Sequence, residues 1–126
     1  MDYRRTKVEA LVVLNNHLLM VKDVGPDGQP LWRLPAAELE EGEMPEDGVE
    51  RALACETGFE GKVLEFIHRA KPKEGPHRLI LTFRAELRPG QELLEPDALA
   101  REVKWRSLRN PQLRETLREV LRKAHL

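Results

Sequence analysis

The sequence predicts an α/β fold, a mixed sheet covered by helices, and three observations lead to it. The first third of the chain alternates apolar, β-branched runs with turn residues. Two later segments carry helix boundary signals, one in the middle of the chain and one at its C-terminal end. Finally, a chain of 126 residues, 40% of them hydrophobic, can bury one core but not two. We therefore expect a single domain over residues 1–126.

The first predicted element is a β-hairpin. Residues 8–14 form an apolar run and residues 17–22 form another. Asn15 and Asn16 between them tolerate positive φ, as a tight hairpin turn requires.

A turn, a short strand and a loop should follow the hairpin. Residues 24–29 consist of turn-forming types, and the strand over residues 31–34 ends at Pro35. The next segment, residues 36–44, is rich in acid, and we expect it to be a loop.

A helix is predicted from Pro45 to Thr57. Proline is favoured in the first turn of a helix, and Gly58 is suited to the position that follows the last helical residue. Two features count against the helix, because Met44 is a poor N-cap and Gly48 costs about 1 kcal/mol relative to alanine.

The second half of the chain should supply three more strands and the last helix. Two strands, over residues 62–69 and 78–87, are separated by a turn at 71–76. A loop over 88–99 then leads to an edge-like strand at 102–106. Asn110-Pro111 is a suitable helix start. The apolar stripe of this helix comprises Leu113, Leu117, Val120, Leu121 and Ala124.

The charge balance excludes one broad class of partner. The chain has 21 basic and 22 acidic residues, a formal net charge of −1, whereas nucleic-acid-binding proteins usually carry a basic surplus. The charges are unevenly distributed along the chain, because residues 38–60 hold nine acids and one base. The composition therefore excludes a nucleic acid polymer but not a small phosphorylated ligand.

Cys55 is the only cysteine, which excludes an intramolecular disulfide and a cysteine-based zinc site. The N-terminus lacks the apolar run of a secretory signal, and no segment is long and apolar enough to span a membrane. We expect a cytoplasmic protein without a membrane partner. The abundance of Arg, Leu, Glu and Pro is typical of a thermophile or a GC-rich bacterium.

The middle helix should carry the chemistry. At helical spacing, Val49 and Leu53 form its core stripe. An adjoining flank presents Glu56 and Arg51 among small side chains, including Ala52 and Cys55.

Residues 34–59 resemble the Nudix box, G-x5-E-x7-R-E-U-x-E-E-x-G-U, where U is bulky and apolar. The matching residues are Glu43, Arg51, Leu53, Glu56, Gly58 and Phe59. The stretch Trp32-Arg33-Leu34-Pro35 resembles the family's W-x-L-P entry, and residues 102–105 resemble its late E-x-x-W strand. The resemblance covers nearly the whole chain and implies a Nudix-type α/β/α sandwich.

The resemblance also implies a metal-dependent chemistry. Nudix enzymes hold magnesium or manganese with box carboxylates, so that water attacks a diphosphate whose charge the metal neutralises. This sequence departs from the box at three positions. Ala37 replaces the opening glycine, while Ala52 and Cys55 each replace a glutamate, and a thiol is a poor ligand for magnesium.

The candidate site residues follow from the matches that remain. Glu56 and Glu43 are the candidate catalytic and metal-binding carboxylates, although they form a weak metal site. Arg51 binds phosphate or serves a structural role. Ala52, Cys55 and Trp32 are the candidate pocket residues. We expect magnesium or manganese if the protein is active, and otherwise no cofactor.

Three functions stay open at this point. In the first, the protein binds or acts on a nucleoside diphosphate derivative, and hydrolysis is weak or lost. In the second, it is an active Nudix hydrolase that uses displaced carboxylates from the loops. In the third, it is a structural or interaction protein without a ligand. A homodimer stays open beside a monomer. The acids that could be displaced ligands are Glu38, Glu40, Glu41, Glu43, Glu92, Glu95 and Asp97.

Several side chains also have plainer interpretations. Cys55 is more simply a small buried residue than a reactive thiol. Trp32 and Trp105 suit packing as well as they suit stacking on a base. His68 and His77 are most simply solvated strand residues.

Overall fold

We describe the fold from a computed structural model that covers residues 5–90, 102–109 and 115–126. Helix α1 spans Pro45–Thr57 and helix α2 spans Glu115–Lys123. The strands are β1 Thr6–Leu11, β2 Val13–Leu14, β3 His17–Val24, β4 Pro30–Arg33, β5 Ala36–Glu38, β6 Gly61–Ala70, β7 Leu79–Leu87 and β8 Val103–Ser107.

The strands form two sheets. The first has the order β5-β1-β7-β6, in which β1 and β7 are parallel and the other neighbours are antiparallel. This sheet is mixed, as the sequence predicts. In the second sheet β3 pairs antiparallel with β2, β4 and β8.

The predicted hairpin is present but shorter than expected. Asn15 and Asn16 adopt φ of 50° and 61°, so the turn between β2 and β3 has the positive φ values that its two asparagines suggest. The apolar run before it is divided between sheets, because β1 pairs with β5 and β7 whereas β2 pairs with β3.

Helix α1 has the predicted boundaries. Gly58 ends it in the left-handed region at φ 77°, and Met44 makes no side-chain capping bond. Close packing accounts for the glycine at position 48, because a Cβ there would lie 3.0 Å from Leu39 Cδ1 and 3.1 Å from Val8 Cγ2. Close approach to the sheet therefore explains a glycine inside this helix.

The two helices cover two apolar cores. One core packs α1, through Val49 and Leu53, against residues of β1, β3 and β7. The other packs α2, through Leu117, Val120 and Leu121, against residues of β1 and β3. This arrangement confirms the expected layering of helix, sheet and helix.

One predicted loop is partly a strand. Residues 36–44 were expected to be a loop, but β5 begins at Ala36 and pairs with β1, with Ala37 opposite Val8. Alanine can continue an extended segment at position 37, where the resembled family has the opening glycine of the box. Within the part of the chain that is described, no helix is long and apolar enough to cross a membrane.

Parts of two other predictions lie outside the described residues. The loop predicted over 88–99 is described only to residue 90. The helix start at Asn110-Pro111 and the stripe residue Leu113 are likewise outside. The later stripe residues, Leu117, Val120, Leu121 and Ala124, are buried as predicted.

Candidate active site

The loop before α1 is held to the helix by Arg51 and Glu43. Arg51 Nε donates to Glu43 Oε2 and its Nη2 donates to Glu43 Oε1, each at 2.9 Å. Arg51 Nη2 also donates to the carbonyl of Glu38 at 2.8 Å, and the Glu40 N–H donates to Glu43 Oε1 at 3.1 Å. A bidentate pair that also binds the backbone fixes the loop in place.

This pairing changes the titration of both side chains. The hydrogen bond from Arg51 lowers the pKa of Glu43 below its usual range, against a smaller opposing effect of burial. The same hydrogen bond raises the pKa of Arg51. Glu43 is therefore an ionised carboxylate at neutral pH, and its two oxygens are engaged by the helix.

Glu56, on the predicted flank of α1, also makes a bidentate pair. Arg33, the last residue of β4, donates from Nη1 to Glu56 Oε1 at 2.6 Å and from Nη2 to Glu56 Oε2 at 3.0 Å. The Ala36 N–H donates to Glu56 Oε1 at 2.9 Å. The side chains of Arg33 and Glu56 are only 15% and 14% exposed.

Arg33 is shared with a second carboxylate. Its Nε donates to Asp23 Oδ2 at 2.9 Å, and its Nη1 donates to the carbonyl of Leu34 at 3.0 Å. Burial lowers the pKa of Arg33, but its hydrogen bonds with Glu56 and Asp23 outweigh burial and raise the pKa overall. The guanidinium is permanently charged and lies between two acids.

The two positions where the box lacks glutamate differ from each other. Ala52 is completely buried, whereas the free thiol of Cys55 is exposed. The expectation that Cys55 is a small buried residue is therefore wrong. Ala54, the preceding residue, is exposed as well, so this part of the helix faces solvent.

The described residues do not form a metal site of the expected kind. Across residues 5–90, 102–109 and 115–126, no three His, Cys, Asp or Glu side chains lie together as ligands for one ion. Magnesium and manganese require several oxygen ligands. Because Arg51 and Arg33 engage Glu43 and Glu56, these residues do not fit a divalent metal ion as they stand.

A cavity of about 380 Å³ lies on the α2 side of the first sheet, next to the end of β4. It is bounded by β1, β6 and β7, by the start of the 71–76 turn, and by α2. Its polar lining residues are Lys7, Glu9, Arg33, His68, Lys71, Thr82, Thr116 and Glu119.

Polar groups at the sheet face of this cavity are only partly paired. Glu9 accepts a hydrogen bond from Thr82 Oγ1 at 2.9 Å and lies 3.6 Å from Lys7 Nζ. His68 Nδ1 is buried and has no hydrogen-bond partner among the described residues. His68 is half-buried in β6, so it is only partly the solvated strand residue that its sequence position suggests.

Trp32 lines the same cavity and contacts two cations. The guanidinium carbon of Arg106 lies 4.9 Å from the ring centroid and Lys104 Nζ lies 5.8 Å from it. Of the three predicted pocket residues, Trp32 lines this cavity, and Ala52 and Cys55 do not. Trp105 instead packs against Phe59 in the core, with ring centroids 6.4 Å apart.

The remaining loop acids have separate partners and do not form one cluster of ligands among the described residues. Glu38 Oε1 lies 3.5 Å from His77 Nε2 and Glu40 Oε1 lies 3.7 Å from Arg51 Nη1. Glu41 is exposed. Glu92, Glu95 and Asp97 lie outside the described residues.

The sequence model of the NUDIX domain matches residues 4–124. This chain belongs to the Nudix family. Nudix hydrolases generally use divalent metal cations.

Solved structures agree with the fold. A MutT NUDIX hydrolase from Burkholderia pseudomallei is 21% identical with a TM-score of 0.73, over 94% of this chain and 96% of that one. An ADP compounds hydrolase is 17% identical with a TM-score of 0.73, over 95% and 70%. A UDP-X diphosphatase is 17% identical with a TM-score of 0.70, over 99% and 64%.

Arg33 is the site residue that the sequence analysis missed. It stands in the apolar run Leu31-Trp32-Arg33-Leu34, and a charged side chain there requires an acidic partner. Asp23 lies on the neighbouring strand, where Leu31 is opposite it and Arg33 is the diagonal neighbour. An arginine inside a short apolar strand was the available signal, but it does not identify Glu56 as the second partner.

Proposed function

We propose that this Nudix protein binds a nucleoside diphosphate derivative in the cavity beside Trp32, and that its ordinary metal-dependent phosphoanhydride hydrolysis is weak or lost. Two of the similar structures are named for ADP compounds and for UDP-X, which supports this class of ligand. The reaction that such a hydrolase would catalyse depends on metal ions, and this site is poorly equipped to hold them.

One observation carries the proposal. Glu56 is the one carboxylate left among the three box glutamate positions on α1, and the guanidinium of Arg33 holds both of its oxygens. A metal ion would have to displace a bidentate arginine that is only 15% exposed. The other two positions hold Ala52 and Cys55, which offer no carboxylate oxygen in compensation.

The cavity supports a phosphorylated, partly aromatic ligand. Lys7 and Lys71 bring two ammonium groups to its lining beside the carboxylates of Glu9 and Glu119, whereas the charge of Arg33 is already paired with Asp23 and Glu56. The ring of Trp32 offers a surface for a base. A volume of about 380 Å³ lies within the range of ordinary small-molecule pockets.

The experiment combines a thermal-shift assay with product analysis. ADP-ribose, a UDP-sugar, ADP and UDP are each tested with and without magnesium and manganese. We expect at least one of them to raise the Tm, because a ligand that prefers the folded state stabilises it. We expect little or no phosphate or nucleotide to be released.

A pair of lysines in one turn provides the matched control. Lys71 lines the cavity, whereas Lys73 does not. Lys71→Ala should weaken ligand binding, and Lys73→Ala should leave it unchanged. Equal effects of the two variants, or no stabilisation by any compound, would remove the support for this cavity as the binding site.

The same assay tests the remaining two functions. Brisk product release with a metal ion would favour an active hydrolase that recruits displaced carboxylates. No thermal shift and no product with any compound would favour a structural protein.

A further inference from the structure

Three polar side chains form one row across the sheet face of the cavity. Glu9 of β1 lies opposite Thr82 of β7, and Thr82 lies opposite His68 of β6. All three residues line the cavity. Neighbouring strands lie about 4.8 Å apart, so the backbones of Glu9 and His68 are separated by about 10 Å. The row is therefore long enough to contact both ends of one bicyclic base.

The β1 end of the row places hydrogen-bond acceptors beside a donor. Glu9 Oε1 accepts from Thr82 Oγ1 at 2.9 Å, and Glu9 Oε2 lies 3.6 Å from Lys7 Nζ. Each carboxylate oxygen has two lone-pair sites, so these contacts leave an acceptor site on both oxygens. A lysine ammonium group only donates. This end therefore offers two acceptors and one neighbouring donor to a ligand.

The β6 end of the row holds a polar atom without a partner. His68 Nδ1 is buried and makes no hydrogen bond with any of the described residues. Buried polar atoms in folded proteins are almost always hydrogen-bonded. A ligand that enters the cavity can supply the partner that this nitrogen lacks.

Guanine is the nucleobase whose two edges match both ends of the row. Its Watson–Crick edge presents the acceptor O6 beside two donors, N1–H and the 2-amino group. Lys7 can donate to O6 while the two oxygens of Glu9 accept from these donors. At the other end, His68 Nδ1 can donate to N7, an acceptor that guanine shares with adenine. Adenine offers Glu9 a single donor, and a pyrimidine is too short to reach both ends.

We propose that the row Glu9–Thr82–His68, together with Lys7, selects guanine, so that the preferred ligand is a guanosine diphosphate derivative. This inference rests on the proposed function, because it identifies the base that occupies the same cavity. The selecting residues lie on β1, β6 and β7, outside the motif at residues 34–59. Adenine and uracil compounds enter the same cavity and bind more weakly.

The test is a calorimetric titration of the wild type with GDP, IDP, ADP and UDP. IDP is the matched probe, because its base is guanine without the 2-amino group. We expect GDP to bind at least about tenfold more tightly than ADP or UDP, with IDP between them. A site that hydrogen-bonds an amino group discriminates against an analogue that lacks it.

Three variants assign the selection to particular side chains. Glu9→Gln keeps the size of the side chain but replaces one acceptor with a donor, so it should lower the GDP-to-ADP affinity ratio about tenfold. Glu86→Gln, at an exposed acid of the same sheet that does not line the cavity, should leave the ratio unchanged. His68→Phe keeps a ring and removes Nδ1. It should weaken GDP and ADP by the same factor and leave UDP unaffected.

Equal affinities of the wild type for GDP, ADP and UDP would overturn the selection of guanine and leave the cavity proposal standing. A GDP preference that Glu9→Gln retains in full would also contradict the inference. If none of the four diphosphates binds, the proposed function itself fails. These outcomes differ from one another, and the first and the last need only the wild type.

Discussion

Helix α1 carries two bidentate arginine–glutamate pairs that are built in opposite ways. In the first, the helix contributes the arginine, Arg51, and the preceding loop contributes Glu43. In the second, the helix contributes the glutamate, Glu56, and strand β4 contributes Arg33. The first pair joins residues 8 apart in sequence and the second joins residues 23 apart.

The arginines of the two pairs also differ in burial, whereas the two glutamates are equally exposed. Arg51 is 32% exposed, whereas Arg33 is 15% exposed and has a second acidic partner in Asp23. An exposed pair contributes little to stability, but a buried one is costly to break because the remaining charge has lost its compensation. The comparison teaches that the same kind of pair fixes a loop to the helix in one place and joins the helix to two strands, through Arg33 and Asp23, in the other.

The largest expected effect comes from breaking the more buried pair. Glu56→Ala should lower the free energy of unfolding by about 3 kcal/mol, because Arg33 keeps only Asp23 as an acidic partner. Urea denaturation measures it. Glu60→Ala, which breaks the exposed pair between Glu60 and Arg88, is the control and should change stability by less than about 0.5 kcal/mol. Equal losses would show that burial does not distinguish the pairs.

Breaking the pair at the loop should cost less. Arg51→Ala should lower the free energy of unfolding by about 1 kcal/mol, because its charge is partly exposed and screened by solvent. The backbone bond to the Glu38 carbonyl is lost as well, so limited proteolysis should cut residues 39–44 faster. A loss larger than that of Glu56→Ala would reverse the comparison.

Gly48 lies next to the Glu43–Arg51 pair, and a substitution there tests how closely α1 packs against the preceding loop. A Cβ at this position would lie 3.3 Å from Glu43 Oε1 and 3.0 Å from Leu39 Cδ1. Gly48→Ala should therefore not gain the roughly 1 kcal/mol that alanine usually adds inside a helix, and thermal unfolding should show no rise in Tm. A clear rise would mean that the neighbours move aside easily.

The smallest expected effect is a pH dependence of stability that arises from the Glu43–Arg51 pair. Arg51 lowers the pKa of Glu43 in the folded state below its ordinary value of 4.5. The contribution to stability is therefore complete above pH 4.5 and decreases as the pH falls through the lower folded-state pKa. Urea unfolding of the wild type and of Glu43→Gln measures the difference between their free energies of unfolding. This difference should become smaller as the pH is lowered. A constant difference would contradict the pairing.

Much of the fold could be predicted from the sequence because its signals are local. Asn15-Asn16 marks a hairpin turn, and Pro45 and Gly58 mark both ends of α1. Strand β5 could not be predicted in this way, because its short alanine-containing segment is extended only through pairing with β1. Its formation depends on a partner that is distant in sequence.

The site was predictable only in part, for the same reason. The Glu43–Arg51 pair lies within one motif, and its structural role was among the interpretations that the motif allowed. The Arg33–Glu56 pair joins two elements, and Asp23 adds a third, so their meeting depends on tertiary structure. The cavity that brings Trp32, Glu9 and His68 together has the same origin.

The central claim is that this Nudix protein binds its ligand without hydrolysing it. The most direct test incubates the purified chain with ADP-ribose and a UDP-sugar in the presence of magnesium or manganese, and follows Tm and product in the same samples. We predict that at least one compound raises the Tm while it remains intact. Rapid conversion of the stabilising compound to its nucleoside monophosphate would contradict the claim.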